Sequence, residues 1–454
     1  MFKNNNTLKT YFPIFHWISN YQSADLKSDL LAGITVAVLL IPQGMAYALI
    51  AGLPPIYGLY AALAPQIVYA FLGTSRQLAV GPVAMDSLLV ATGLNALSIV
   101  NPSQYIQMAI LLALIMGAIQ FLLGLLKMGF IVAFLSKPVI HGFTSAAAII
   151  IGLSQLNHLL GVDLPQNSKI DVFIASLGQI ETLIHLPTLG IGLTSILLLI
   201  LIKKWNKKIP SALIVVTLGI IWVYITRQDQ IGVAVVGQIP KGLPAFTFPA
   251  LDITVIRELF PIAFTLALIA YMEAISVAKA IQEKHKTYEV NPNQELIALG
   301  AANMIGSLFQ SYSTTGGFSR TAINDQAGAK TGIASLVSAL IIAVILSFFT
   351  HWFFYLPKAV LGGIIILAVM RLIDIKYAFR LYKSRKDEFV VLLVTFILTL
   401  VIGIKQGILF GIIFSLLLLV YRTSKPHYAF LGRIGKTNYF KNIARFPDEI
   451  VPRD

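Results

Sequence analysis

The chain has no cysteine, which excludes disulfides and thiol chemistry and leaves the redox compartment open. It is also poor in charge. Asp, Glu, Lys and Arg make up 12% of 454 residues, about half the usual share in a soluble domain. Acids are the scarcer sign, 20 against 34 Lys and Arg. No H-E-x-x-H, G-x-S-x-G or P-loop occurs, so neither an intramembrane hydrolase nor an ATP-driven pump is supported. His141, His158 and His185 are scattered without metal-ligand spacing and read as structural. No metal, cofactor or catalytic residue is therefore expected, and no enzyme. A cleavable signal peptide is not visible either. A polar leader of about 28 residues comes first, and the apolar run after it lacks a cleavage pattern. Tyr11, Phe12, Phe15, Trp17 and Tyr21 in that leader suit a piece lying at the membrane surface.

What is present is apolar length. Hydrophobic residues reach 57%, in runs long enough to cross a bilayer. The expectation is an all-α polytopic membrane protein of about 14 segments, two of them short. They centre near residues 38, 63, 88, 115, 143, 193 and 218, then 269, 301, 325, 342, 364, 396 and 413. The stretch from Ile170 to Leu186 is amphipathic and reads as a surface segment.

With the N-terminus inside, the predicted inner loops hold most of the basic residues. These are Lys203, Lys204, Lys207 and Lys208, then Lys279, Lys284 and Lys286, then Arg371, Lys376, Arg380, Lys383, Arg385 and Lys386. The tail adds Arg422, Lys425, Arg433, Lys436, Lys441, Arg445 and Arg453. The predicted outer loops hold only about six, which argues for an even number of spans with both termini cytoplasmic. The same asymmetry accounts for the net charge of +14 without a nucleic-acid partner.

The chain divides into two halves. L-S-K-P-V-I-H-G (Leu135 to Gly142) matches L-P-K-A-V-L-G-G (Leu356 to Gly363) at four of eight positions, and each opens the fifth segment of its half. The expected divisions are an interfacial leader 1–28, repeat one 29–227, an extra-membrane linker 228–256, repeat two 257–423 and a cytosolic tail 424–454. An odd number of spans per half inverts the second half relative to the first.

The polar stretch S-Y-S-T-T-G-G-F-S-R-T-A-I-N-D-Q (Ser311 to Gln326) interrupts the apolar runs. It predicts a short strand, a two-glycine break and a half-helix opening near Phe318. L-A-V-G-P-V-A-M-D-S predicts the same in the third segment, with Gly81 as cap and Pro82 at the first helical position. Helix openings have free amides and a partly positive end. Non-helical backbone at membrane depth survives only inside protein or beside a watery cavity. A buried arginine there costs about 2.5–3.5 kcal/mol on insertion scales. Free amides, Ser319 and Arg320 together describe an anion site.

Each candidate has a plainer reading. Arg320 neutralises an anion with a bidentate fork, or pairs with Glu273 to hold two helices together. Ser319 donates to a ligand, or caps the helix. Glu273 falls about 18 Å along a run starting near Pro261, at mid-membrane, where it suits proton carriage or an ion pair. Asp86, in the first turns of the other half-helix, is a coupling acid or a dipole partner. Gln43 and Tyr47 share a helix face, and Pro42 and Gly44 suggest a locally opened helix facing a cavity. A buried glutamine also bonds neighbouring helices, and a tyrosine also packs.

These motifs resemble the SulP anion permeases, whose animal branch includes prestin. The likeness runs from about Tyr21 to the end. Its carriers are D-L-L-A-G-I-T-V-A-V-L-L-I-P-Q-G-M-A-Y-A, G-L-P-P-I-Y-G-L-Y, G-T-S-R-Q-L-A-V-G-P-V-A, N-Q-E-L-I-A-L-G-A-A-N and G-G-F-S-R-T-A-I-N. The resemblance implies 14 transmembrane segments as two inverted 7-segment repeats, in a uracil permease-like fold. It implies a core of segments 1–4 and 8–11 moving against a gate of 5–7 and 12–14, and a homodimer in the lipid bilayer. The family's anion site falls on Gln43, Tyr47, Val83, its amide neighbour Ala84, Phe318, Ser319 and Arg320, and its coupling acid on Glu273. Sodium-coupled members are expected to carry Asp at that acid and a hydroxyl one turn later. Val277 stands there, against a sodium reading. Members usually continue into a cytosolic STAS domain, and R-F-P-D-E-I-V-P-R-D resembles the approach to one.

The expected function is secondary active transport of a small inorganic oxyanion in the cell (inner) membrane, as proton-coupled sulfate symport. The alternatives are a bicarbonate or dicarboxylate carrier, an anion exchanger, or a membrane module that transports nothing.

Overall fold

In the computed structural model the apolar runs are helices, and the glycine-broken polar stretches are where the chain leaves the helix. Residues 12–18, 21–97, 99, 101–130, 136–162, 184–206, 210–424, 431–434 and 439–442 are described. The first part of the chain forms α1 (Ile14–Trp17), α2 (Ser23–Ile50), α3 (Ile56–Ala61), α4 (Ala64–Leu72), β1 (Val80–Gly81), α5 (Ala84–Asn95) and α6 (Pro102–Leu125). It continues through α7 (Lys137–Ser154), α8 (Leu156–Leu160), α9 (Leu186–Trp205) and α10 (Ser211–Thr226). The second part forms α11 (Ile253–His285), α12 (Pro292–Leu308), β2 (Thr315–Gly316), α13 (Phe318–Gln326) and α14 (Ile333–Val344). Then come α15 (Lys358–Val369), α16 (Ile375–Ser384), α17 (Lys386–Val401), α18 (Ile404–Ser424) and a small hairpin, β3 (Leu431–Arg433) with β4 (Phe440–Asn442). Among the described residues six helical stretches are long and apolar enough to cross a membrane: Ser23–Ile50, Pro102–Leu125, Lys137–Leu160, Leu186–Trp205, Ile253–His285 and Ile333–Phe353.

Small residues let the helices approach closely, as apolar helices do where lipid supplies no hydrophobic drive. A Cβ built on Gly300 of α12 would lie 2.4 Å from the Phe121 amide and 2.7 Å from the Gly117 carbonyl of α6. Polar groups bridge the same region. Gln120 Nε2 donates to the Ala267 carbonyl of α11 (3.1 Å), and Asn303 Nδ2 of α12 to Gln120 Oε1 (3.3 Å).

Two fully buried carboxylates clasp the two parts of the chain. Asp29 accepts from the amides of Lys330 (2.6 Å) and Thr331 (3.1 Å), the Thr331 hydroxyl (2.6 Å) and the Tyr21 phenol (3.2 Å). Glu295 accepts from the Tyr69 phenol (2.7 Å), the Thr74 amide (2.7 Å) and hydroxyl (2.5 Å), and the Ser75 amide (3.1 Å). A buried charge is tolerable when hydrogen-bonded this completely.

Three sequence expectations are corrected. First, α11 begins at Ile253, not near Pro261. The Asp252 carboxylate caps the Thr254 amide (2.8 Å), and the helix runs through Arg257, Glu258 and Pro261. A capped helix continues past the apolar zone. Glu273 still lies midway between Pro261 and His285, 12 residues or about 18 Å from each.

Second, α2 is continuous through Pro42. Gly44 serves a close crossing with α3 instead: a Cβ built on Gly58 would lie 1.9 Å from the Gly44 carbonyl. Third, α5 begins at Ala84 with Val83 as N-cap, so Pro82 precedes the helix and its carbonyl stays available. Residues in the expected linker also bond to the second part of the chain. Val236 and Gly237 donate to the Leu356 (2.9 Å) and Phe354 (3.1 Å) carbonyls, and Lys358 to that of Ala234 (2.9 Å), tying residues 234–237 to the start of α15. Helices begin within both matched octapeptides, α7 at Lys137 and α15 at Lys358. The amphipathic stretch near 170–186 lies, save for residues 184–186, outside the described residues, as do Tyr11, Lys207 and Lys208 and most of the tail.

Candidate functional site

The site is built on β1 and β2, two residues each. They pair antiparallel, Val80 opposite Gly316 and Gly81 opposite Thr315. Each strand feeds a half-helix, so α5 and α13 leave the pair from opposite ends. Polar residues of the 311–326 stretch secure the arrangement. Thr315 Oγ1 donates to the Ala270 carbonyl (2.6 Å), fixing β2 against α11 one turn before Glu273. Asn303 Oδ1 accepts from the Thr314 amide (2.8 Å), and its Nδ2 donates to the Thr314 carbonyl (3.0 Å). Thr321 Oγ1 accepts from the Ala79 amide (3.0 Å), and Asn324 Nδ2 donates to the Gln77 carbonyl (2.9 Å). At the far end of α13, Asp325 pairs with Lys284 and His285 in the last turn of α11. The polarity of α13 is thus largely explained by attachment to its neighbours.

Arg320 is not used up in this way. It is 2% exposed, and its Nη1 donates to the Pro82 carbonyl (2.6 Å), directly before α5. Its Nε and Nη2 are buried without a partner. The guanidinium lies over Gly317, where a built Cβ would be 2.9 Å from Nη2 and 3.0 Å from Cζ. This glycine makes room for the arginine at the helix opening. The Arg320–Glu273 ion pair of the plainer reading is absent among the described residues, whose ion pairs leave both groups out. Arg320 is within Coulombic reach of Tyr47, Glu273, Tyr312 and Asp86.

The remaining predicted residues surround it. Asp86 is fully buried in the first turn of α5, and neither carboxylate oxygen has a partner. Glu273 is half-buried with Oε2 unpartnered, and Gln43 is half-buried with Oε1 unpartnered. Tyr47 is buried one turn further along α2. The Gln43–Tyr47 stretch is held against the first half-helix: a Cβ on Gly44 would sit 3.7 Å from Pro82, and one on Gly81 3.5 Å from Leu40. Val83 is half-buried at the N-cap and Ala84 buried at the first helical position. Phe318 is 51% exposed and Ser319 is exposed, at the first turn of α13. Gly317 is the N-cap and makes no side-chain cap bond, so the capping reading of Ser319 is corrected. A cap residue lies outside the helix, and Ser319 stands inside it.

Three neighbours were not singled out. Tyr312 is fully buried, with its hydroxyl 3.0 Å from Ser87 Oγ on α5. Ser313 Oγ is buried and unpartnered. The Pro82 carbonyl accepts from Arg320 Nη1. Tyr312 and Ser313 lie in the polar stretch already noted, but their side chains carry no periodic signal.

Chemically, unpartnered donors at two helix openings suit a negatively charged guest. Two nearby carboxylates can exchange protons as the charge around them changes.

Residues 26–395 match the sulfate permease family. Sulfate transporter 4.1, chloroplastic, of Arabidopsis thaliana is 40% identical over 97% of this chain and 65% of its own length. High affinity sulfate transporter 2 of Stylosanthes hamata is 36% identical over 97% of this chain and 68% of its own. The chain thus spans about two thirds of the relatives it matches. Among solved structures, SLC26A9 superposes with a TM-score of 0.90 at 27% identity, covering 99% of this chain and 73% of that one. The transmembrane domain of the cyanobacterial bicarbonate transporter BicA shares the fold, with a TM-score of 0.75 at 23% identity over 87% of this chain and 98% of that one. The chain is therefore a mainly helical, multi-pass membrane protein, and it belongs to the sulfate permease family.

Proposed function

We propose that the protein is a secondary active transporter of a small inorganic oxyanion, sulfate, in symport with protons. The observation carrying this reading is Arg320: buried, with two unpartnered nitrogens at the start of one half-helix and against the residue preceding the other. A guanidinium left open in this way is costly unless a guest completes it. The relatives' names, sulfate transporters, supply the oxyanion. Gln43, Tyr47, Val83, Ala84, Phe318, Ser319 and Arg320 bind it, and Glu273 carries the proton. Val277, 3% exposed one turn after Glu273, offers no oxygen to a sodium ion.

Fourteen spans in two inverted sevens, with core 1–4 and 8–11 moving against gate 5–7 and 12–14, give alternating access. The repeats are 29–227 and 257–423, the leader 1–28, the linker 228–256 and the tail 424–454. Both termini are cytoplasmic, and the unit is a homodimer in the inner membrane.

The test is uptake into proteoliposomes of a panel of labelled anions at two pH values, with and without sodium. Sulfate uptake driven by an inward proton gradient and indifferent to sodium is expected. Uptake of bicarbonate or a dicarboxylate in its place, or of no anion at all, refutes the proposal.

A further inference from the structure

Asp86 differs from the other fully buried carboxylates. Asp29 and Glu295 each receive four hydrogen bonds, which is how this protein pays for a structural acid. Asp86, equally buried, has both oxygens unpartnered. It makes no cap bond to α5 and no ion pair with Arg320 among the described residues. A purely structural carboxylate would not be left like this.

The charged groups within reach of Asp86 are Glu273 on α11 and Arg320 on α13, and Tyr312 before β2 is the other titratable neighbour. The helices α2, α6, α7 and α18 also pack on α5, and among the described residues they bring no further charge within that reach. The fixed positive charge is therefore small. Arg320 supplies one unit, and each half-helix opening roughly half a unit, together roughly +2. Two ionised carboxylates balance that sum with no guest present. A divalent anion balances it only when both carboxylates are protonated. Any other combination buries uncompensated charge in low dielectric.

We infer that Asp86 is a second proton-carrying residue of the anion site, and that the protein moves two protons with each divalent oxyanion, without net charge. This rests on the sulfate reading above and adds its stoichiometry. The loaded carrier crosses with both acids protonated, and the empty carrier returns with both ionised. Arg320 and the helix openings stay fixed throughout.

The experiment measures the sulfate ratio at which flux through the purified protein in proteoliposomes reverses. The pH difference is set, and the membrane potential is clamped with potassium and valinomycin. The wild type is expected to balance at about 100-fold accumulation per pH unit, unmoved by potential, since each proton contributes a factor of ten. Asp86→Asn is expected to balance at about 10-fold per unit and to respond to potential, because it carries one net negative charge. Asp86→Glu is expected to restore the wild-type ratio. A wild-type balance near 10-fold, or an Asp86→Asn balance that stays near 100-fold and electroneutral, overturns the inference while leaving sulfate transport standing. A wild type that moves no sulfate under any gradient overturns both. If Asp86→Asn does not fold, the wild-type ratio and potential dependence decide alone.

Discussion

Replacing Arg320 separates a binding arginine from a structural one. Its Nη1 is committed to the Pro82 carbonyl, while Nε and Nη2 remain open. Arg320→Ala removes two hydrogen bonds to a charged guest, each contributing about 1.5–3 kcal/mol. The independent Coulomb estimate is about 4 kcal/mol for one charge pair at ~4 Å and an effective dielectric constant of ~20. The two routes agree on a loss of about 10³-fold in anion affinity. Arg320→Lys keeps the charge but not the fork, so it reaches either the Pro82 carbonyl or the guest. Its loss is about 10- to 100-fold, the worth of one such bond. The assay is sulfate titration of detergent-purified protein by calorimetry. Size-exclusion profile and thermal unfolding serve as controls for folding. The reasoning is refuted if Arg320→Ala, still monodisperse, binds sulfate within about threefold of wild type.

Three further outcomes are expected. Glu273→Gln lowers gradient-driven sulfate accumulation to about 10-fold per pH unit, the share left to Asp86, and makes it respond to membrane potential; a balance that stays near 100-fold would disprove its coupling role. Glu295→Ala strands four donors and lowers stability by about 3–5 kcal/mol, seen as a clear drop in melting temperature in detergent, and no drop would contradict the clasp. The Asp252 carboxylate is held below its ordinary range, first by the Thr254 hydroxyl and then by the Thr254 amide. Its support of α11 is complete above the usual carboxylate range and fades as pH falls below it. Asp252→Ala should therefore lower the melting temperature at neutral pH and make no difference in strong acid.

Much of the site was legible because membrane chemistry is restrictive. A glycine pair, an arginine and a cluster of hydroxyls inside an apolar chain have few places to go. The strand and half-helix at 315–326 follow from that restriction. What was not legible depends on distant partners. Nothing local to Arg320 selects the Pro82 carbonyl over Glu273, because that choice is made by β1 pairing with β2. The start of α11 was placed near Pro261 because hydropathy alone does not register the Asp252 cap, which carries the helix through Arg257 and Glu258. Gly44 was read as loosening α2, when the partner that needs its small size, Gly58, lies on another helix. The roles of Asn303 and Thr315 as braces for β2 were equally invisible, since each acts on a backbone group elsewhere in the chain.

The Asp29 clasp has a consequence for biosynthesis. Three of its four donors come from Lys330 and Thr331, some 301 residues downstream. As the polypeptide emerges from the ribosome, α2 is inserted with an acid near its start that no later helix has yet come to satisfy. Helix α2 is thus fully locked only when the turn before α14 is delivered, and until then its acid has the Tyr21 phenol alone from the set that finally holds it.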